Sequence, residues 1–287
     1  MPLPPPLPAV VVYQDLELAP PPVDFSVAED ADGSLVYRAG SSLRAELGKA
    51  RLSVLAVRHG QAESNARSEQ LGQPLLYGQS ESPLTPKGHQ QARFCAGEIL
   101  HELGGTTWLL NALDRPELLP VLAASDLARA QETAQEIKDG LADEAEKLAG
   151  SWGRRFIEQN LQVVRESRLR ETHFGDFEGR PLSELVEAYP EFVSHWRPSE
   201  GLGTDFRHRF PGGESRADVM RRVGQFFHEA CQVYAGRTLV VVSHGETLLS
   251  TRALLGQARV VKGKVAAETG AIPNAHPFWL WVPGMQE

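Results

Sequence analysis

Three short apolar runs constrain this chain more than any other feature: Leu52–Val57, Pro120–Ala124 and Thr238–Val242. None alternates with polar residues as a half-exposed strand would, so each suits a strand buried on both faces. Long helix-like stretches separate them. Thr85-Pro86 starts one with a capping residue and a proline at the first helical position, and Gly104-Gly105 stops it after Leu103. A second runs from near Asp126 toward Leu148. A third follows Ser215, with Val219, Val223, Phe226, Phe227 and Ala230 on helical spacing, and a fourth starts near Glu246. Buried strands alternating with helices predict an α/β layered fold.

The chain ahead of Leu52 reads differently. Met1–Pro8 holds five prolines and suits a polyproline-like tail, and Val10–Tyr13 is a short β-like run. Val23–Val27 and Ser34–Arg38 flank the turn signal Asp30-Ala31-Asp32-Gly33, which predicts a hairpin. Ser41 and Ser42 then cap a helix through Lys49. Residues 1–50 are therefore expected to form an N-terminal extension on a main domain of residues 51–287.

Composition narrows the function. A net charge of -8 over 287 residues argues against non-specific nucleic-acid binding, which needs a basic footprint. It leaves an anionic substrate open, because surface charge is screened over roughly 8 Å at physiological salt. A close arginine–phosphate pair gains about 4 kcal/mol at an effective dielectric near 20. The two cysteines, Cys95 and Cys231, fall in helix-like stretches without metal-ligand spacing and read as buried, reduced thiols. The N-terminus lacks a secretory pattern and no apolar run is long enough to cross a bilayer, so a cytoplasmic protein without a membrane partner is expected. Oligomeric state is not legible.

Chemistry concentrates where the apolar runs end. Val57 is followed by Arg58-His59-Gly60, Ala124 by Ser125-Asp126-Leu127-Ala128-Arg129, and Val242 by Ser243-His244-Gly245-Glu246. Open α/β sheets bind ligands at the carboxyl ends of their strands, where helix N-termini offer free N–H groups to anions. Two arginines and two histidines at three such ends resemble a phosphate cradle. Each has a duller reading alone: a hydrogen-bonded structural histidine, a surface arginine, or Arg129 paired with Glu132 on its own helix. No His-Glu-x-x-His, Cys/His cluster or nucleotide-binding Gly-x-x-x-x-Gly-Lys loop occurs, and neighbouring arginines repel a cation, so neither metal nor cofactor is expected. Cleaving a phosphate ester also needs a proton for the leaving oxygen. The glycine-punctuated segment Leu169–Gly179 offers Glu171, Asp176 and Glu178, and position alone does not choose among them.

Together these residues resemble the histidine phosphatase superfamily, also called phosphoglycerate mutase-like, over roughly Leu52 to Val282. The lead Arg-His-Gly is Arg58-His59-Gly60, with Asn65 six residues after the histidine. Leu-Thr-x-x-Gly-x-x-Gln-Ala is Leu84–Ala92, and Ser-x-Leu-x-Arg-Ala-x-x-Thr-Ala is Ser125–Ala134. Leu-x-Glu-x-x-x-Gly-x-x-Glu-Gly is Leu169–Gly179, Pro-Gly-Gly-Glu-Ser is Pro211–Ser215, and Ser-His-Gly is Ser243-His244-Gly245. The resemblance implies a three-layer α/β/α sandwich with a mostly parallel central sheet. It implies His59 as nucleophile, Glu171 as proton donor, and Arg58, Asn65, Arg129, His244 and Gly245 around the phosphoryl group. Departures are Gln61 where glutamate is common, Glu81 in place of an aspartate, and apparently long loops at Asn65–Leu84 and Gly104–Leu119.

The expected reaction is hydrolysis of a small phosphorylated metabolite through a phosphohistidine. The rivals are a mutase that returns the phosphoryl group to substrate, and a non-catalytic interaction protein on the same fold. Arg207-His208-Arg209 suits either a second anionic group of the substrate or a solvated basic loop.

Overall fold

The computed structural model describes residues 25–29, 35–39, 41–190, 209–255, 258–261, 264–267 and 272–284. The proline-rich start, the Val10–Tyr13 run, the Asp30–Gly33 turn and Arg207-His208 lie outside the described residues.

Strands β1 (Phe25–Glu29) and β2 (Leu35–Ala39) pair antiparallel, as the hairpin reading expected, and α1 (Ser41–Ala50) follows. The first apolar run is β3 (Ser53–Arg58). Then come α2 (Glu63–Leu71), α3 (Pro86–Glu102), α4 (Gly105–Asp114) and β4 (Val121–Ala124). Next are α5 (Ala128–Asn160), β5 (Val163–Arg165), α6 (Leu182–Ala188), α7 (Arg216–Val233), β6 (Thr238–Ser243) and α8 (Gly245–Leu254). The last strands are β7 (Ala258–Val261), β8 (Lys264–Ala267) and β9 (Pro277–Trp281).

The central sheet has the order β5-β4-β6-β3-β9, parallel throughout except for β9. Its two faces explain the unbroken apolar runs. Val54, Ala56, Val121, Ala123, Leu239 and Val241 face one core with Leu43 and Leu47 of α1 and Val219, Val223 and Phe226 of α7. Leu55, Val57, Leu122, Ala124, Val240 and Val242 face a second core with Cys95 and Ile99 of α3, Leu109 of α4 and Ile137 of α5. Successive strand residues point to opposite faces, so a strand covered on both sides is apolar at every position. This is the three-layer α/β/α sandwich. A second sheet, β1-β2-β7-β8, joins the N-terminal hairpin to the segment after α8 through Leu35↔Val260 and Val36↔Arg259.

Two loop readings are corrected. Gly104–Leu119 is not a loop: Gly104 turns the chain at φ +114, and α4 then packs Leu109, Ala112 and Leu113 into the second core. Asn65–Leu84 is irregular only after α2, which stops at left-handed Gly72. The helix expected to end toward Leu148 breaks there, at Ala149 and Gly150, and resumes to Asn160. Cys95 and Cys231 are buried and free, and burial raises both thiols, Cys231 to about 11.

Candidate active site

The carboxyl ends of β3, β4 and β6 lie side by side. The His59 N–H donates to Ser243 O at 3.0 Å and the Ser125 N–H to Val242 O at 2.9 Å. Both histidines are buried beside each other, with ring centroids 5.1 Å apart. His59 Nδ1 lies 2.7 Å from Gly60 O. A carbonyl only accepts, so Nδ1 carries the proton and Nε2 keeps its lone pair. His244 has the opposite tautomer. Its Nδ1 accepts from Arg129 Nε at 3.2 Å, so the proton sits on Nε2 and is given to Ser125 Oγ at 2.8 Å. Burial holds both imidazoles well below the usual histidine range, reinforced for His59 by the charges of Arg129 and Arg58. Both rings are therefore neutral at neutral pH.

Arg129, only 2% exposed, stands at the second residue of α5. Besides His244 it donates from Nη1 to Ser80 O at 3.1 Å and from Nη2 to Gly78 O. It is not paired with Glu132, whose carboxylate instead accepts the Leu84 N–H at 2.7 Å. Arg58 donates from Nη1 to Ile272 O at 2.8 Å. Asn65 closes the start of α2, its Oδ1 accepting the Ala62 N–H at 3.0 Å. Gly245 opens α8 at the meeting point of two of these groups: a Cβ there would stand 3.6 Å from Arg58 Nε and 3.9 Å from Glu171 Oε2.

Of the three candidate acids, the structure brings Glu171 to this place. Its Oε2 accepts the Glu246 N–H at 3.1 Å and its Oε1 the Thr247 N–H at 3.1 Å, both from the first turn of α8, and the Thr172 N–H at 2.9 Å. Burial and the charge of Glu246 raise its carboxyl above the ordinary range, against the pull of the Thr172 and Glu246 N–H groups and Arg129. Glu246 is itself buried and paired with Arg216 at 2.8 Å. Asp176 is exposed. Glu178 faces the Gly78–Ser80 turn, where its carboxylate accepts the N–H groups of Gly78 and Gln79, each at 3.0 Å.

The close fit of the site's walls accounts for several motif residues. A Cβ on Gly60 would meet Gly88 O at 2.4 Å, and one on Gly88 would meet Gln61 O at 2.1 Å. The segment after His59 thus lies directly on the N-terminus of α3. Thr85 caps that helix through Gly88 N at 3.1 Å. Gln61 belongs to the same joint: its Nε2 donates to both Glu69 carboxylate oxygens, at 3.1 and 3.0 Å, while its Oε1 accepts from Thr85 Oγ1 at 2.9 Å. The glutamate common at this position would set a second carboxylate against Glu69. Gly175 and Gly213 interlock the Leu169–Gly179 segment with Pro211–Ser215, a Cβ on Gly175 falling 1.9 Å from Pro211 O.

Sequence reasoning missed Arg222. It is 6% exposed, pairs with Glu214 at 2.9 and 3.0 Å, and donates to the carbonyls of Arg168 at 2.6 Å and Glu171 at 3.1 Å. An arginine beside Val219 and Val223 on the buried face of α7 was the available signal, since a cation there needs buried partners. Arg209 pairs with Asp218 at 2.9 Å from an exposed side chain. An open groove of about 1110 Å³ along α3 and α5, lined by Phe94, Glu98 and Lys147 among others, shares no residue with the site. Among the described residues no cluster of three His, Cys, Asp or Glu is placed to hold a metal.

The family model described as histidine phosphatase superfamily (branch 1) matches residues 54–151 and 153–264. A protein named probable phosphoglycerate mutase GpmB, from Yersinia enterocolitica, is 32% identical over 197 residues, 69% of this chain and 71% of its own. The structure of a mycobacterial glucosyl-3-phosphoglycerate phosphatase is similar with a TM-score of 0.51 at 26% identity, covering 78% of this chain and 88% of that one. Bacillus stearothermophilus YhfR shares the fold, with a TM-score of 0.51 at 20% identity over 78% of this chain and 98% of its own.

Proposed function

The chain belongs to the histidine phosphatase superfamily, and on that premise we propose that it is a metal-independent phosphatase acting through a phosphohistidine at His59. The observation that carries this reading is the 2.7 Å bond between His59 Nδ1 and Gly60 O. It places the proton on Nδ1 and leaves Nε2 with a lone pair for attack, under the charges of Arg129 and Arg58. In this reading Nε2 attacks phosphorus in line. The phosphorus–oxygen bond to the leaving group breaks as the phosphorus–nitrogen bond forms. Arg58 and Arg129, with Asn65, hold the non-bridging oxygens; His244 joins them once its Nε2–H turns from Ser125 Oγ to the phosphoryl group. Stabilising that spread of charge is the main task in phosphoryl transfer. Arginine suits it because its planar fork stays charged and binds bidentately.

Glu171 gives its proton to the leaving oxygen, and its carboxylate then takes one from the water that hydrolyses the phosphoenzyme. Its raised affinity for protons supports the first step, and its seat on the first turn of α8 supports the second, since the helix N–H groups stabilise the carboxylate once formed. His59→Ala should abolish both turnover of an aryl phosphate and any acid-labile phosphoenzyme trapped by rapid quench. Normal turnover in that variant would refute the scheme. Chelators should leave the rate unchanged.

The name of the Yersinia relative favours a second reading, transfer of the phosphoryl group back to a phosphoglycerate. The same side chains would serve both, and what differs is the acceptor in the second step. Supplying 3-phosphoglycerate with and without a bisphosphate primer separates them: a phosphatase releases inorganic phosphate in either case. We take the substrate to be a small phosphorylated metabolite of the cytoplasm. The mycobacterial structure makes phosphoglycerate esters the first class to screen, beside sugar phosphates and phosphopeptides. Among the described residues no helix is long and apolar enough to cross a membrane.

A further inference from the structure

We propose that Glu178 is a positioning residue for Arg129, acting through the peptide group between Gly78 and Gln79. This rests on the reading of Arg129 as a group that holds the phosphoryl oxygens. The Glu178 carboxylate collects donors from two segments: Gly78 N, Gln79 N and Phe174 N at 3.0 Å each, Ser80 Oγ at 2.8 Å and Ser80 N at 3.4 Å. The opposite side of the same turn faces Arg129. Its Nη2 donates to Gly78 O and its Nη1 to Ser80 O at 3.1 Å.

One peptide group therefore bridges the two charges. Its N–H, on Gln79, points to Glu178, and its C=O, on Gly78, points to Arg129. In a partly buried place, where the dielectric is lower than in water, a peptide dipole aligned between an anion and a cation is held more firmly than by either alone. Gly78 cannot be exchanged for a larger residue here, since a Cβ would meet Thr172 O at 2.1 Å and Glu178 Oε1 at 2.3 Å. The Gln79 side chain extends the device, donating from Nε2 to Glu171 O at 3.1 Å.

The consequence for Arg129 is geometric. Three of its N–H groups are taken by His244, Ser80 and Gly78, which fixes the guanidinium plane. A guanidinium has five N–H donors, so two remain for an anion, and their direction is set by the turn. Glu178→Gln replaces one acceptor oxygen by an amide that itself donates. Both carboxylate oxygens face N–H or O–H donors, so either orientation of the amide opposes donor to donor and the turn must shift.

The test is a double-mutant cycle of Glu178→Gln and Arg129→Ala, with inorganic phosphate as the probe and aryl-phosphate turnover as a second readout. Phosphate binding is titrated by calorimetry, or by phosphorus NMR for the weak variants. Glu178→Gln should weaken phosphate binding and raise KM by about ten- to a hundredfold, the range of a charge-assisted hydrogen-bond set. In the Arg129→Ala background the same substitution should change binding by less than about twofold, because its route is already absent. Equal factors in both backgrounds would overturn the proposal and leave Glu178 as a fold-stabilising residue. If Glu178→Gln does not fold, Ser80→Ala takes its place in the cycle, with a smaller loss of the same sign that also disappears without Arg129. Coupled phosphate binding without turnover in the unmodified chain would remove the phosphatase reading and keep this one. Turnover with an additive cycle would do the reverse.

Discussion

Replacing Gly88 by alanine tests whether the wall behind His59 is as tightly set as the geometry implies. The added Cβ would lie 2.1 Å from Gln61 O, 2.9 Å from Gln61 C and 3.0 Å from Gln61 N. These are backbone atoms and cannot swing away. Ordinary carbon contacts begin near 3.5 Å, so relief requires a separation of about 1 Å between α3 and the segment after His59. That movement would loosen the Thr85 N–H bond to Gln61 O, now 2.9 Å, and the Gln61 N–H bond to Gln91 Oε1, now 2.8 Å. Overpacking of this kind costs about 1–3 kcal/mol of stability. Misplacing a reacting group by about 1 Å costs on the order of a hundredfold in rate. Gly97 on the same helix is the control: it is exposed, a Cβ there meets nothing within 4 Å, and Gly97→Ala should gain up to about 1 kcal/mol from helix propensity. Urea unfolding and kcat/KM on an aryl phosphate, measured for both variants, decide the matter. Equal stability and equal rates for the two would refute the account of the Gly60–Gly88 contact.

Glu171→Gln should slow unactivated alkyl phosphates far more than aryl phosphates, by about 10²–10⁴-fold, because only the former need a proton on departure. A uniform loss across leaving groups would exclude Glu171 as the acid. His59 and His244 hold their protons less tightly in the fold than in the unfolded chain. Below about pH 6.5 the unfolded chain therefore gains protons that the native one does not, and stability falls by up to about 1.4 kcal/mol per pH unit for each histidine. Urea melts across that range should show the slope, and His59→Gln should reduce it by one proton. Thr85→Ala removes the α3 cap and a bond to Gln61, and should cost about 1 kcal/mol on unfolding.

The parallel core was legible because burial on both faces leaves no polar positions inside β3, β4 and β6, only at the ends of β3 and β6. The other strands write weaker signals. Val163–Arg165 is three residues long, and Pro277–Trp281 is an antiparallel edge that opens on a proline. At the site, His59, Arg129 and His244 could be picked out because chemically able residue types follow the buried strands, whereas Glu171 was picked only through the family motif. What holds them is largely backbone: Gly60 O on His59, Gly78 O and Ser80 O on Arg129, Ile272 O on Arg58. Every residue has a carbonyl, so no composition or spacing marks these. Among side chains, Glu178 was visible but not separable from Glu171 by position, since only the folded turn shows which carboxylate faces Gly78 and which faces α8.

The placement of β9 and the residues before it has a consequence for how activity arises during synthesis. Arg58 donates to a carbonyl 214 residues further along the chain, and Asn274 Nδ2 returns to His59 O across 215 residues at 2.7 Å. β3, the strand that leads into His59, is flanked by β6 on one side and β9 on the other, both made late. Until those segments leave the ribosome, β3 has neither neighbour, and its apolar faces must wait with the helices α1, α3, α4 and α5 as early cover. Contacts so distant in sequence slow the final closure and lengthen the interval in which Leu55 and Val57 can find wrong partners. The surroundings of His59 are thus among the last parts of the molecule to be completed.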